Sequence, residues 1–473
     1  MRNWLLLVLW IIYLPCAAIE LPEIGISADV IMSPADEDKL GKAFIRQLRR
    51  HVEVIDDIQI NDYLNVLGNH LVSYSENPKQ SFHFFVIKDA SINAFAVPGG
   101  FIGVHSGLIM STRSEGELAS VLAHEIAHVT QRHIARTIEA SQRLTVPKIA
   151  AIIAAAIVTG IAPQVGQAAF AAIMAGNIQM QINFTRIHEK EADRIGIQTL
   201  ANSGFSPTNM PNFFERMQAA NRNSTTNLPD LLLTHPVTTD RIAEANDRAA
   251  KYSTKLKTEN PLYNLMKAKL LVSTTDNKVK LLKTLQTMLT TDNYRDERAT
   301  RYALALTLLA NMRTDGVQTQ IDWLLKNDSD RVMFRILKAK LALSQKNDTQ
   351  AIQEYEQALQ VYPHDKMLGL DYAEKLLQNK MANKAKNVLL DISLPTNPYY
   401  YFLLAQAYKA SGTEAEAYFA LAENYYLKGQ TAIAIEHLKQ ALQKVKTDFY
   451  LATRIDARYK ELQTELLEEK MKK

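Results

Sequence analysis

In the first hundred residues the spacing of apolar positions changes from helical to extended. Between residues 34 and 51, and again between 60 and 74, apolar residues recur every three or four positions, which predicts two amphipathic helices. Residues 82–88 are rich in aromatic and β-branched side chains, which predicts a strand. Residues 93–105 follow as two short extended pieces that turn at Pro98-Gly99-Gly100. Proline cannot donate to a central ladder, so Pro98 favours an edge position.

Helical spacing returns in residues 114–130. Ser114 and Glu117 have the spacing of a capping box, which predicts that the helix begins there. An apolar stripe then runs along one face, formed by Leu118, Val121, Leu122 and Val129. Ala123 and Ala127 are small enough to let another element pack closely against this helix.

Residues 149–176 are apolar on every side and are interrupted at Pro163. Each of the two runs is too short to cross a bilayer as a helix. One interpretation is a buried helical hairpin. The other is a surface that touches the membrane peripherally, or a lid over a cleft, and the sequence does not choose between them.

From residue 256 onwards the sequence predicts pairs of helices that repeat. Four alanines lie 34 residues apart, which is the tetratricopeptide period: Ala305, Ala339, Ala373 and Ala407. A second match, residues 421–441, is shifted by about half a repeat, so we expect one helix near residues 413–426 to serve two neighbours. The predicted fold is therefore mainly α with a small β-sheet, followed by a tetratricopeptide-like α-solenoid over residues 256–473. The alternative is a generic helical bundle.

Composition excludes little. A chain of 473 residues with 47% hydrophobic and 22% charged residues has room for two or three globular cores. Its formal net charge of +4 is too small, at this length, to indicate a nucleic-acid partner.

Residues 1–18 have the pattern of a secretory signal peptide. Arg2 precedes an apolar run over residues 5–14, and Cys16 and Ala18 supply small residues before a cleavage site. A retained anchor would need a longer apolar run, and Pro15 is unsuited to a lipoprotein signal. Cys16 is the one cysteine of the chain, so cleavage after Ala18 would leave histidines and carboxylates as the only strong metal ligands.

The central motif is His124-Glu125-Ile126-Ala127-His128, which reads HExxH. Two histidines four apart project from one face of a helix, so both rings can reach a single zinc ion. Glu125 would then lie beside the metal, where a catalytic water binds. The alternative, two histidines on an ordinary buried helix, is less consistent with the helical context.

A third ligand is expected from residues 186–196, in a helix that should end near Gly204. Glu189 and Asp193 lie four apart, so one carboxylate can bind zinc while the other orients a histidine ligand through its free ring nitrogen. Glu191 points about 200° away from Glu189, so the two cannot both be ligands. Spacing alone leaves either one open, and the partner Asp193 favours Glu189.

These motifs together resemble the M48 family of zinc metallopeptidases. The resemblance covers residues 35–250 and includes HExxH, the later ExxxD, NAFAVPGG at 93–100 and THPVTTDR at 234–241. It implies a gluzincin-type metalloprotease domain, which we place at residues 19–255, with one zinc ion per chain. The implied roles are zinc ligation for His124, His128 and Glu189, general-base catalysis for Glu125, and support of the site for Asp193.

Three further assignments around this site are hypotheses. His235 could donate to the developing oxyanion, could occupy the open zinc position and restrain activity, or could only fix a loop beside Pro236. Arg241 could anchor the same loop to a carboxylate. The extended residues Asn93, Ala94, Phe95 and Ala96 either pair with an extended substrate or form a plain β-hairpin.

The expected function is that of a periplasmic zinc endopeptidase, either soluble or peripherally attached to a membrane. Exported relatives with C-terminal repeats imply misassembled outer-membrane β-barrel proteins as substrates, the β-barrel assembly machinery as a partner of the repeats, and a chaperone-like role. A non-proteolytic chaperone or scaffold with a structural zinc ion is the alternative. An integral-membrane protease is a third interpretation, with 149–176 as its only candidate span beyond the signal.

Overall fold

The computed structural model describes residues 32–141, 178–223, 230–253, 259–328, 330–445 and 447–471. The predicted signal peptide, 1–18, and the apolar segment, 149–176, lie outside the described residues. Among the residues described, no helix is both long enough and apolar enough to span a bilayer.

The amino-terminal half is helical around one small sheet. Helices α1 (Pro34–Leu48) and α2 (Ile58–Val72) coincide with the two predicted helices. The strands are β1 (Val54–Ile55), β2 (His83–Ile87), β3 (Ala94–Val97) and β4 (Phe101–His105). They form one four-stranded sheet in the order β1-β2-β4-β3, in which only β2 and β4 run parallel. The predicted strand and both predicted extended pieces are therefore confirmed.

Strand β3 lies at the edge of this sheet, beside β4 alone, as the position of Pro98 predicted. The turn that joins β3 to β4 needs glycine. Gly99 and Gly100 have φ values of 81° and 78°, and a Cβ at Gly100 would lie 2.1 Å from the carbonyl oxygen of Ser81. The hairpin is therefore fixed tightly against the strand that precedes it.

The described residues of this half contain seven further helices. They are α3 (Ser106–Ser111), α4 (Glu115–Thr130), α5 (His133–Ser141), α6 (Ile178–Asn202), α7 (Asn209–Asn223), α8 (Asp230–Thr234) and α9 (Thr239–Ala249). Helix α4 contains HExxH and packs against α2, β3, α6 and α7. Helix α6 ends two residues before Gly204, which has a φ of 84°, as the sequence predicted.

The carboxy-terminal half consists of helices in antiparallel pairs. They are α10 (Leu262–Thr274), α11 (Lys278–Thr290), α12 (Glu297–Ala310), α13 (Val317–Asn327), α14 (Val332–Ser344), α15 (Asp348–Val361), α16 (Lys366–Gln378), α17 (Ala382–Ile392), α18 (Pro398–Ala410), α19 (Glu414–Leu427), α20 (Thr431–Lys444) and α21 (Phe449–Met471). The four alanines spaced by 34 residues lie fully buried in α12, α14, α16 and α18, the first helix of four successive pairs. Helix α19 packs against both α18 and α20, which is the sharing that the shifted pattern predicted.

The first repeat shares its core with the amino-terminal half. Tyr63 of α2 and Tyr263 of α10 belong to one continuous cluster of buried side chains. The Tyr263 hydroxyl donates to the carbonyl oxygen of Thr112 (3.0 Å), just before α4 begins. Lys269 forms a partly buried ion pair with Asp57, the N-cap of α2 (2.7 Å). The predicted division near residue 255 stays a prediction, but the two sides of it are packed together.

Later repeats also contact the amino-terminal half. The Asn397 side chain donates to the carbonyl oxygen of Asp56 (3.4 Å), and Arg50, just after α1, donates to the carbonyl oxygen of Gly429, after α19. Arg46 pairs with Glu465 of α21 (3.2 Å). The row of helices thus meets the α1–α2 region near its start, its middle and its end.

Candidate metal centre

Helix α4 begins where the sequence predicted, although its cap differs from the predicted capping box. The Ser114 hydroxyl accepts from the backbone N–H of Glu117 (3.1 Å), which satisfies one of the free donors at the helix start. The Glu117 carboxylate accepts from the N–H of Arg113 (2.6 Å) and pairs with Arg216, and the structure gives it no bond to the N–H of Ser114. The Glu117 carboxylate therefore pairs with Arg216 of α7, in place of the bond to the N-cap backbone that would complete a capping box.

Small residues let α6 cross α4 at very short range. Ala192 of α6 is fully buried in one cluster with Ala127 of α4. A Cβ at Gly196 would lie 3.2 Å from the backbone nitrogen of His124, so a larger side chain would push the helices apart. Glu189 and Asp193 lie on the same face of α6 as these small residues. The crossing therefore brings both carboxylates against the histidines of α4.

Four side chains converge at this crossing. His124, His128, Glu189 and His235 each offer one ligand atom, and these atoms all lie within 4.8 Å of one another. The two HExxH rings approach through Nε2 (3.0 Å), and each of these nitrogens lies 3.3 Å from a Glu189 oxygen. His235 approaches from the loop after α8, with Nδ1 2.9 Å from Glu189 Oε1. Every metal ligand predicted from the sequence is thus in one place, together with His235.

The donor set fits a divalent metal that prefers nitrogen and oxygen ligands. Imidazole and carboxylate in this combination are typical of zinc sites. Glu125, only 1% exposed, points its Oε1 atom to within 3.5 Å of His235 Nε2, and this oxygen accepts no hydrogen bond from the described residues. A buried carboxylate without a donor is rare away from functional sites. The residues present are therefore compatible with a metal site flanked by a base.

Asp193 and Arg241 support the cluster from behind. An Asp193 oxygen lies 3.0 Å from His124 Nδ1, the ring nitrogen that faces away from the other ligands. Arg241 donates to both Asp193 oxygens through Nε and Nη2 (2.7 and 2.8 Å), and its Nη1 lies 3.0 Å from Glu189. Nη1 also donates to the carbonyl oxygen of Pro236 (2.8 Å). Arg241 thus ties the His235 loop to two carboxylates, as the sequence analysis suggested.

Protonation in the cluster follows the number of carboxylates that face each ring. Burial lowers the pKa of His124, but Asp193 and Glu189 outweigh it and raise the pKa to about 10. Burial also opposes charge on His235, yet Glu189 and Glu125 raise its pKa. Burial dominates at His128, which meets Glu189 alone, and lowers its pKa. Burial would raise the pKa of Glu189, but the three rings hold it well below its usual value.

His133, which none of the sequence motifs singled out, lies directly behind His128. His133 Nδ1 is 2.9 Å from His128 Nδ1, and its Nε2 is 3.1 Å from Glu191 Oε2. Arg136 donates to the same Glu191 oxygen (2.8 Å). Glu191 was correctly expected to face away from Glu189, and the structure gives it this second partner. The signal was present in the sequence, since His133 follows His128 by five residues, about one turn beyond the end of α4.

The predicted substrate strand lies beside the cluster. Ala94, Phe95 and Ala96 belong to β3, which packs against α4, and Asn93 immediately precedes it. The Asn93 side chain accepts from the Thr234 hydroxyl (3.4 Å), one residue before His235. The strand and the His235 loop are therefore joined.

Comparisons of the sequence with known proteins identify metallopeptidases among its relatives. The sequence profile of peptidase family M48 matches residues 59–249. The chain is 34% identical over 444 residues to the β-barrel assembly-enhancing protease of Yersinia pestis, covering 93% of this chain and 91% of that protein. It is 35% identical over 458 residues to a putative β-barrel assembly-enhancing protease of Vibrio cholerae, covering 94% and 92%. Similarity to the mitochondrial metalloendopeptidase OMA1 of Arabidopsis thaliana, 30% over 169 residues, covers 35% of this chain and 32% of that protein.

The substitution Arg241→Ala should destabilise the metal-free protein strongly. It would leave Asp193 and Glu189 buried without their permanent counter-charge, which typically costs about 3–5 kcal/mol. The matched control is Arg248→Ala on the same helix, which removes a half-exposed pair with Glu244 (2.8 Å) and should cost at most about 1 kcal/mol. Urea unfolding in the presence of a chelator measures both. Equal effects of the two substitutions would show that the carboxylates do not depend on Arg241.

Proposed function

The chain belongs to peptidase family M48 and is a metalloendopeptidase, and on that premise we propose that it cleaves proteins with one zinc ion held by His124, His128 and Glu189. The observation that carries this proposal is the convergence of their ligand atoms within 4.8 Å of one another, although Glu189 lies 61 residues after His128 in the sequence. Zinc, when bound, supplies a Lewis acid and makes nearby water more acidic.

Among the chain's own residues, Glu125 would carry the proton transfers, and Asp193 and Arg241 would hold a metal ligand in place. Glu125 takes the proton of the attacking water and passes it to the leaving amine, which its burial beside the cluster and its free Oε1 support. Asp193 holds His124 with Nε2 directed at the metal position, and Arg241 keeps Asp193 ionised, since burial would raise the pKa of Asp193 but Arg241 and His124 lower it.

His235 is proposed to take the fourth ligand position and to restrain the enzyme. A catalytic zinc site has three protein ligands and an open position, whereas four protein ligands close it. Nδ1 of His235 lies 2.9 Å from Glu189 and 3.3 Å from His124 Nε2, which supports occupation of that position. The alternative is that the ring donates to the developing oxyanion.

Strand β3 is proposed to pair with the substrate. Asn93 accepts a hydrogen bond from the backbone of His105, so the backbone groups of residues 93, 95 and 97 face β4 and those of Ala94 and Ala96 face away from it. Ala94 is fully buried, so the half-buried Ala96 offers the accessible groups. The carbonyl of Ile92, which faces the same way, already accepts from the N–H of Leu231 (2.9 Å). No hydrogen bond from the other described residues satisfies Ala94 or Ala96 on this side. An extended peptide added here would run beside α4.

The cellular role we propose is assembly and quality control of outer-membrane β-barrel proteins in the periplasm. Two relatives that match more than nine-tenths of the chain carry the name β-barrel assembly-enhancing protease. Misassembled β-barrel proteins expose unpaired strands, which suit an edge-pairing cleft. The signal peptide, residues 1–18, would direct the enzyme to that compartment. Segment 149–176 is a candidate for peripheral membrane contact.

The helix pairs of residues 256–473 are proposed to be tetratricopeptide repeats that recruit the assembly machinery and add a chaperone-like role. Buried alanines at the 34-residue period support this assignment. The parts of the repeats that contact α1 and α2 are already occupied, because Lys269 and Asn397 bind the Asp56–Asp57 turn. A recruited protein would therefore bind another part of the repeats.

A second candidate is a non-proteolytic scaffold with a structural zinc ion. The presence of His235 as a fourth donor favours it, because structural zinc sites are closed by four protein ligands. The buried Glu125 beside the cluster favours the enzyme, since a structural site has no use for a base. These two observations make Glu125 the residue that separates the candidates.

The substitution Glu125→Gln should abolish proteolysis and leave zinc in place. Loss of the base should lower kcat by about 10²–10⁴-fold, because general-base catalysis contributes on that scale. Activity on a denatured outer-membrane protein and zinc content by mass spectrometry are the two measurements. A variant that cleaves, or that rescues a deletion strain as well as the wild type does, would support the scaffold instead.

The substitution His235→Ala should raise proteolysis if the ring occupies the open position. A fall of about 10²–10³-fold would instead assign it to the oxyanion. The double variant with Glu125→Gln is the control, because any gain that survives loss of the base does not come from this site. Unchanged activity of the single variant would leave His235 with a role in the loop alone.

The substitution Ala96→Pro should weaken cleavage of extended substrates while β3 stays paired with β4. Proline removes one outward N–H, and the loss of one hydrogen bond corresponds to about a 3- to 10-fold fall in kcat/KM. Ala96→Ser keeps the N–H and is the control, and far-UV circular dichroism checks the fold of both. Equal kcat/KM values for the two variants would exclude pairing at this position.

A further inference from the structure

Outside the four converging ligands, the described residues contain a second set of buried histidines behind His128. His133, 3% exposed, lies at the first position of α5, and His188 of α6 stacks on it with ring centroids 4.1 Å apart and planes 10° apart. His133 joins His128 to Glu191 through its two ring nitrogens, at 2.9 and 3.1 Å. Stacking and contacts at both nitrogens together fix the orientation of this buried ring.

The direction of these hydrogen bonds follows from their ends. The Glu191 carboxylate, which faces Arg136, can only accept, so His133 must donate from Nε2. A neutral His133 then accepts at Nδ1, and His128 must donate from its own Nδ1. That tautomer leaves the lone pair of His128 Nε2 directed at Glu189 and His124. The reverse order would place a proton on His128 Nε2 and set a His133 lone pair against the carboxylate.

The backbone between α4 and α5 supports the same conclusion. Arg132 has a φ of 52°, which is unfavourable for a residue with a side chain. Its guanidinium is held by Glu37 (2.8 Å) and donates to the carbonyl oxygen of Met32 (2.6 Å). This conformation turns the chain sharply enough to bring His133 back against His128. Strain of this kind persists where the surrounding contacts impose it.

We propose that His133 is a positioning residue that fixes the metal-binding tautomer of His128. It accepts a hydrogen bond from Nδ1–H of His128 and donates one from its own Nε2–H to Glu191. The two ligating histidines are then held by different devices. An Asp193 oxygen lies 3.0 Å from Nδ1 of His124, whereas His128 is held by Glu191 through an intervening ring. This inference rests on the proposed zinc site.

Two substitutions separate the hydrogen bond from packing. His133→Asn places an amide oxygen at the same number of bonds from the backbone as Nδ1, so it keeps an acceptor and loses the ring. His133→Phe keeps a ring to stack on His188 and has no acceptor. His70→Ala is the control, since His70 is hydrogen-bonded to the carbonyl oxygen of Ser203 (3.0 Å) and does not contact the cluster.

The measurement is the zinc Kd of the full mature chain, by competition with a chromophoric chelator, with thermal unfolding of the metal-free protein as the check on folding. We expect His133→Phe to weaken zinc binding about 10- to 100-fold, and His133→Asn and His70→Ala to stay within about 3-fold of the wild type. The opposite order of Phe and Asn, equal losses, or no loss in either would overturn the proposal. A wild-type protein that binds no zinc would refute the proposed function itself.

Discussion

The contact on which the site depends is the close crossing of α4 and α6. Gly196 and Ala192 leave no side chain between the helices beyond a methyl group, so α6 rests almost on the backbone of Ala123 and His124. At this separation, short carboxylates on α6 reach rings on α4. A Cβ at Gly196 would lie 3.2 Å from the His124 nitrogen and 3.3 Å from the Ala123 carbonyl carbon, so a side chain at this position would disturb the close approach that brings Glu189 to the histidines.

The crossing also concentrates charge, and the structure balances it with residues of different character. Glu125, Glu189 and Asp193 are all buried within a few ångströms. Histidines can give up their protons when a cation binds, whereas a guanidinium cannot. Arg241 therefore neutralises Asp193 whether or not a metal is bound, and the histidines adjust. Asp193 therefore faces Arg241 and one ring, whereas Glu189 faces three rings and one nitrogen of Arg241.

The sequence predicted what depends on spacing along the chain. HExxH, the ExxxD pair and the hairpin at Pro98 follow from spacing within one or two turns, and the helix pairs follow from a 34-residue repeat. The structure places HExxH and ExxxD at one helix crossing, the hairpin at the sheet edge and the repeated alanines in the core. The capping box was only half right, because Arg216 approaches Glu117 from a distant helix. The role of Gly196 was hidden for the same reason, because it depends on how two helices meet and no pattern within either helix encodes that. The spacing of His133 from His128 was visible in the sequence, but its bond to Glu191 also depends on that crossing.

The docking of the repeats was equally hidden from the sequence, and it connects both ends of α4 to the carboxy-terminal half. At its start, the Glu115 carboxylate accepts from the backbone N–H of Asn260 (3.0 Å), which precedes α10, and from the hydroxyl of Tyr63. Beyond its end, Arg132 is held by Glu37 of α1, and α1 in turn contacts the last repeats through Arg46. The helix that carries both histidines is thus held at each end by segments that also touch the repeats.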